Sequence, residues 1–292
     1  MPFLELTLDL NGLCAQASEE AAFDLGALSV TLTDSGDDAV LEPAPGEVRL
    51  WPATRMQALF PAGTDSQRLV AALAQQLGAD PVAIQARELA DRLWEREWLK
   101  DFHAMRFGQR LWVCPRHELV NDPAAVVVVL DPGLAFGTGT HATTAMCLTW
   151  LDRHAPRGAR IIDFGCGSGI LAIAALKLGA ERAWCHDIDP QALRATAENA
   201  QANGVAEATQ LCERAASLPA GVDVLLANIL SGPLCELAEI FAAQVRPGGQ
   251  VILSGLMQHQ EAEVTAAYDA WFDTSPIAVR EGWVALHAVR RK

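Results

Sequence analysis

The chain of 292 residues carries 36 acidic against 22 basic side chains, a formal net charge of −14, and 51% of its residues are hydrophobic. That length suffices for about two domains, each able to bury a core of its own. The charge balance disfavours a nucleic-acid-binding surface, whose phosphate contacts draw on clustered Lys and Arg, and suits a basic protein partner.

In chain order, Phe3 to Leu10 alternates apolar with polar and reads as a strand, Ala15 to Leu25 as a helix, and Ala27 to Thr33 as a second strand. The turn cluster Asp34-Ser35-Gly36-Asp37-Asp38 opens an extended region with Pro43, Pro45 and Gly46. A strand from Glu47 to Trp51, a helix from Ser66 to Leu77 and a strand from Val82 to Glu88 follow. This strand, helix, strand, strand, helix, strand order is that of a small α+β ferredoxin-like domain, residues 1–89. It holds no catalytic constellation, so substrate recognition is its expected role. Residues 1–48 contain ten acidic side chains and no Lys or Arg. Such a face either keeps the chain solvated or steers a cationic substrate.

Asp91 to Arg106, DRLWEREWLKDFHAMR, places Trp94 and Trp98 at i and i+4 and reads as a linker helix over 90–106. The indoles are expected to pack onto the next domain, and His103 reads as a packing or capping residue. From residue 107 to 292 strands and helices alternate. A strand Gln109 to Cys114 and the apolar run Val126 to Leu130 lead into DPGLAFGTGTHATT, residues 131–144. Three glycines, four threonines and Phe136 precede a helix expected over Thr144 to Leu151. This segment is either a wall of a ligand pocket or an irregular loop whose threonines cap the helix.

The next stretch is RIIDFGCGSGILAIAALKLGAERAWCHDIDP, residues 160–190. A strand Arg160 to Phe164 meets glycines at 165, 167 and 169, which turn the chain sharply into a helix Ile170 to Leu178. Several N–H groups and the positive end of the helix dipole thereby face one small volume, a ligand site. The strand Arg182 to Ile188 ends in Asp187 and Asp189, and Asp187 lies 22 residues beyond Gly165, where doubly wound folds meet a ribose. A nicotinamide dinucleotide and S-adenosylmethionine both suit that arrangement. The spacing G-x-G-x-G, in place of G-x-G-x-x-G, favours the ligand without phosphates. A tight turn with no ligand would use the same glycines.

Further on come a helix Gln191 to Gly204, a strand Thr209 to Cys212, and a strand Val222 to Ala227 that delivers Asn228 to the carboxyl edge of the sheet. A helix Gly232 to Val245, a turn at Pro247-Gly248-Gly249, a strand Gln250 to Ser254 and a helix Glu261 to Trp271 follow. The closing pair, Pro276 to Glu281 and Trp283 to Val289, resembles the end of the seven-stranded methyltransferase sheet. Asn228-Ile229-Leu230 stands where methyltransferases of planar nitrogens carry Asp or Asn, two prolines and an aromatic. Lacking the prolines and the stacking ring, it points to an aliphatic amine acceptor. Asn228 could also merely cap the next helix.

Seven scattered cysteines, with no C-x-x-C pair and no histidines at ligand spacing, read as reduced thiols in a cytoplasmic protein without a metal. No apolar run reaches 18 residues, and the alternating start MPFLELTLDL is unlike a leader, so the protein is expected to be soluble and not exported.

The string DPGLAFGTGTHATT, with IIDFGCGSGILAIAALKLGA, DIDP and ANILSGPL, resembles the PrmA family, the methyltransferases of ribosomal protein L-eleven. EPAPGEVRLW and WEREWLKDFHAMRFGQRLWVCP extend the resemblance over nearly the whole chain. One departure is Ala142, where the family usually has proline. The resemblance implies an α/β fold: a seven-stranded Rossmann-like S-adenosylmethionine-dependent methyltransferase domain preceded by the small α+β domain. It implies S-adenosyl-L-methionine as cofactor, with Thr144 at the methionine end, Gly165 in the turn beneath, Gly167 supporting that turn, Asp187 on the ribose and Asn228 near sulfonium and acceptor. It also implies methylation of lysine side chains or the N-terminal α-amine of the ribosomal protein, gripped by the first domain. No residue is identified as the catalytic proton acceptor. An NAD-dependent oxidoreductase and a non-catalytic binding module are the competing readings.

Overall fold

The computed structural model describes residues 3–36, 53–89, 103–130 and 139–292. The chain divides into two compact units, Met1–Glu97 and Trp98–Lys292.

Alternation builds the first unit. Leu4, Leu6 and Leu8 of β1 (Phe3–Asp9) and Met56, Ala58 and Phe60 of β3 (Thr54–Pro61) point into one core with Ala22 of α1 (Ala15–Asp24) and Leu73 of α2 (Ser66–Leu77). With β2 (Ser29–Asp34) and β4 (Gln85–Leu89) they form an antiparallel sheet in the order β2-β3-β1-β4. Helix α2 is cut to length at both ends: the Asp65 side chain accepts from the N–H groups of Gln67 and Arg68, and Gly78 closes it with a φ of 64°. Strand β3 is absent from the sequence reading, which placed a strand at Glu47 to Trp51, outside the described residues. The linker helix expected over 90–106 also falls largely outside them. It does not reach Arg106, because Met105 and Arg106 pair with Val113 and Trp112 in a hairpin.

That hairpin, β5 (Met105–Phe107) and β6 (Leu111–Cys114), continues into a three-stranded sheet with β7 (Val126–Val129) parallel to β6. Its turn is held by the buried Asp152 carboxylate, which accepts from the backbone N–H groups of Gln109 and Leu111.

The main sheet of the second unit has seven strands: β8 (Arg160–Phe164), β9 (Arg182–His186), β10 (Thr209–Cys212), β11 (Val222–Asn228), β12 (Val245–Met257), β13 (Phe272–Arg280) and β14 (Trp283–Arg290). They lie in the order β10-β9-β8-β11-β12-β14-β13, with β14 antiparallel to both neighbours. Successive residues face opposite cores. Ile161 and Leu226 pack with Leu148 of α3 (Ala142–Arg153), Ile173 of α4 (Ile170–Lys177) and Leu193 of α5 (Pro190–Ala202). Ile162 and Leu225 pack with Leu234 of α6 (Ser231–Glu236), Phe241 of α7 (Ala238–Gln244) and Tyr268 of α8 (Glu261–Tyr268).

The single helix expected over Gly232 to Val245 is two, α6 and α7. The break falls where the Leu234 carbonyl, which a continuous helix would offer to Ala238, accepts from Tyr268 Oη at 3.0 Å. The expected turn at Pro247-Gly248-Gly249 interrupts β12: Gly248 has a φ of 75°, and the pairing with β11 jumps from Val245 to Gln250. Strand order reverses between β8 and β11, so the sheet opens a crevice at their carboxyl ends.

Candidate functional site

At that crevice β8 gives way to the glycine turn, where Gly165, Gly167 and Gly169 have φ of 73°, 53° and 77°. Only glycine adopts such angles without strain. The N–H groups of Gly165 and Cys166 both donate to the His186 carbonyl at the end of β9, at 2.7 and 3.0 Å. A side chain at Gly165 would strike Ile229, so the turn lies against the loop that follows β11.

Asp187 completes the turn. Its Oδ2 accepts from Gly167 N at 2.9 Å and its Oδ1 from Asp189 N at 3.0 Å. Asp189 does separate work: its side chain accepts from Gln191 N and caps α5, whose first residue is Pro190. Across the crevice Asn228 Nδ2 donates to Thr144 Oγ1 at 3.1 Å, joining the end of β11 to the first turn of α3. Ser254 Oγ donates to the Thr143 carbonyl, and Ile229 N donates to the Ser254 carbonyl, which fixes both partners from β12.

The five residues singled out in the sequence thus form one constellation: Thr144 bonds Asn228, Gly167 bonds Asp187, and Gly165 abuts Ile229. Phe136 lies outside the described residues.

The family model described as "Ribosomal protein L11 methyltransferase (PrmA)" matches residues 2–291. The chain belongs to the PrmA family. A relative from Pseudomonas aeruginosa (strain LESB58), named ribosomal protein L11 methyltransferase, is 50% identical over 292 residues, covering 100% of this chain and 99% of its own. A relative of the same name from Serratia proteamaculans (strain 568) is 50% identical over 296 residues, covering 100% of both chains. Among solved structures, the ribosomal protein L11 methylase from Lactobacillus delbrueckii subsp. bulgaricus matches with a TM-score of 0.60 and 30% identity, over 65% of this chain and 100% of that one.

The departure from the PrmA pattern at Ala142 has a structural address. Ala142 is the first residue of α3, a position that favours proline, and the helix starts there because the His141 side chain accepts from Thr143 N. His141 and Trp283 are functional candidates that the sequence reading did not single out. Their rings meet edge to face at 5.0 Å between centroids, and Trp283 pairs with Met257 at the end of β12. The signal for His141 was its place just before a helix. Trp283 carried none, because its position depends on which strand β14 joins.

Beside Asp187, Ile188 is 92% exposed and borders a groove of about 460 Å³ also lined by Leu193, Arg194, Leu211 and Glu213. Beneath the turn, Asp163 Oδ2 accepts from Ala172 N at 2.9 Å, while its buried Oδ1 has no hydrogen-bond partner among the described residues. Burial, opposed by that N–H and reinforced by the charge of Asp187, pushes the Asp163 carboxyl up to about 7. Burial also pushes the Cys147 thiol up to about 12, a packing residue and not a nucleophile. No group of three or more metal-ligating side chains, and no helix long and apolar enough to cross a membrane, occurs among the described residues.

Proposed function

We propose that the chain is a cytoplasmic, S-adenosylmethionine-dependent N-methyltransferase of ribosomal protein L-eleven, acting on lysine side chains or the N-terminal α-amine, with residues 1–89 recognising the substrate. The observation that carries this reading is the Asn228–Thr144 hydrogen bond of 3.1 Å set against the glycine turn that Asp187 secures. The cradle fits the cofactor: Gly165, where a Cβ would collide with Ile229, keeps the turn bare of side chains, and a carboxylate oxygen accepts about two hydrogen bonds, so Asp187 retains capacity for ribose hydroxyls beyond its two backbone donors. Exposed Ile188 offers an apolar surface to a flat base.

When bound, adenosylmethionine supplies a methyl group on an already electrophilic sulfonium. The protein's contribution is alignment and exclusion of water, and alignment supplies about 7–11 kcal/mol. One N–H of Asn228 Nδ2 goes to Thr144 and fixes the amide plane, and its Oδ1 is the atom that accepts from the acceptor amine and aims the nitrogen lone pair. His141 and Trp283 wall the same edge of the sheet, and a ring face there attracts an amine while it is still protonated, before the proton is lost. A lysine amine, with an ordinary pKa of about 10.4, must lose a proton first, whereas an α-amine near 7.7–8.0 is already partly neutral.

Methyl transfer from labelled adenosylmethionine to ribosomal protein L-eleven purified from a strain lacking the enzyme, with the methylated residues mapped by mass spectrometry, tests cofactor, substrate and site together. Absence of label on that protein overturns the reading. Calorimetric binding of NAD without binding of adenosylmethionine restores the oxidoreductase alternative.

A further inference from the structure

One face of α5 carries three polar side chains at i, i+3 and i+7: Thr196, Asn199 and Asn203, the last being the residue that ends the helix. None is spent on solvent. Thr196, fully buried, donates from Oγ1 to the Gly167 carbonyl at 3.0 Å and lies 3.4 Å from Cys166 Sγ. Asn199 Nδ2 donates to the Ser168 carbonyl at 2.9 Å. Asn203 behaves as a one-residue strand: its Oδ1 accepts from Val129 N at 2.8 Å, and its Nδ2 donates to the Val129 carbonyl at 2.7 Å and the Asn199 carbonyl at 2.9 Å. Val129 ends β7, the strand that leads into residues 131–144.

The peptide group is planar, so fixing a carbonyl fixes the next N–H in the opposite direction. With the Gly167 and Ser168 carbonyls both drawn towards α5, the two peptide planes that lead into α4 are set from behind. They carry the N–H groups of Ser168 and Gly169, and Gly169 N closes the turn on the Cys166 carbonyl at 2.7 Å, so the pair fixes where α4 begins and where its positive dipole end is aimed. Gly139, from the GTGTH segment, sits against the Ile170 side chain at that same helix end. Of the two ends of adenosylmethionine, only the methionine end carries a carboxylate for a helix N-terminus to hold.

We propose that Thr196 and Asn199 are positioning residues for the methionine end of the cofactor, acting through the Gly167 and Ser168 carbonyls, with Asn203 anchoring the same helix face to Val129. The proposal rests on the adenosylmethionine reading above. Thr196→Val keeps the shape that packs under Gly169 and removes only the hydroxyl. The test is calorimetric titration of the full chain with adenosylhomocysteine and with methylthioadenosine, which shares the adenosine but lacks the amino acid.

For Thr196→Val and for the less buried Asn199→Ala, the Kd for adenosylhomocysteine rises about tenfold, the scale of one lost hydrogen bond, while that for methylthioadenosine stays within about twofold. Thr196→Ser restores the wild-type value. In turnover, KM for adenosylmethionine rises and kcat holds. Equal weakening of both ligands shows a general loss of structure and overturns the proposal, as does unchanged binding of adenosylhomocysteine. Failure of the wild type to bind adenosylhomocysteine overturns the cofactor reading itself, and this proposal with it.

Discussion

Glycine does different work in the first unit and at the crevice of the second. In the first, a Cβ built at Gly12, Gly26, Gly63 or Gly78 meets nothing within 4 Å, so these residues only turn the chain at a surface. In the second, a Cβ at Gly165, Gly169 or Gly255 runs into the Ile229 side chain, Thr196 or the Ile229 backbone. Sheet type explains the contrast. Antiparallel strands return through turns that face water, whereas parallel strands bring their carboxyl ends to one edge, where turns, exit loops and helix starts crowd together. Crowding of that kind excludes side chains and leaves backbone donors and a few placed polar groups, which is what a small-ligand site needs.

The strongest test of this contrast pairs two substitutions at similar φ. Gly63→Ala, at φ 79°, costs only the left-handed strain, about 1 kcal/mol. Gly165→Ala, at φ 73°, adds overpacking against Ile229 and costs about 4 kcal/mol, with loss of adenosylhomocysteine binding. Denaturant unfolding of both variants measures the two costs, and equal values would show that crowding does not separate the units.

Next in size is a truncation in the first core. Leu73 is fully buried between α2 and the sheet, and Leu73→Ala costs about 3 kcal/mol. If the first unit serves recognition alone, kcat/KM for the ribosomal protein falls while the Kd for adenosylhomocysteine stays within about twofold of wild type. Parallel loss of cofactor affinity would contradict that division of labour.

How legible each unit was follows from the same contrast. The glycine turn, Asp187 and Asn228 could be read in the sequence because a strand end followed by glycines or a carboxylate is a local pattern with a fixed address in a parallel sheet. Strand β3 does not stand out in the sequence although its burial alternates, because Ala58, Leu59 and Phe60 run on as consecutive apolar residues and the run EVRLW upstream looks more like a strand. The division between α6 and α7 coincides with a hydroxyl from Tyr268, 34 residues away from Leu234. The meeting of His141 with Trp283, and of Asn203 with Val129, likewise needs contacts that no short window contains.

Asp187→Ala is the next smaller effect. It removes a charged acceptor from Gly167 N and, on the proposed reading, from the ribose; hydrogen bonds to charged groups are worth about 1.5–3 kcal/mol, so the Kd for adenosylhomocysteine rises about 30-fold. Asp187 belongs to the second unit, and the antiparallel fold of the first keeps its far-ultraviolet signature. Unchanged affinity would remove Asp187 from the cofactor site.

Per unit of pH, the smallest effect contrasts one carboxylate from each unit. In the first, the hydrogen bond from Arg55 to Asp9, with a 2.6 Å contact, holds that carboxyl below its ordinary range. Its contribution is present above the unfolded pKa and fades as pH falls through the folded value, and it is small because both side chains are about 40% exposed. In the second, the Asp163 carboxyl rises from 3.8 to about 7 through burial. A folded pKa above the unfolded one means the native state binds the extra proton, so this stabilisation is complete below about pH 4 and is lost as pH climbs through about 7. Asp163→Asn keeps an oxygen for Ala172 N and cannot titrate. The stability of wild type minus that of the variant should therefore fall by at most about 1.4 kcal/mol per pH unit between pH 4 and 7, and level off above. Urea unfolding at half-unit steps measures the difference. A flat difference across that window would mean that Asp163 is ionised in the native state despite its burial, and that some group beneath the glycine turn offsets the charge.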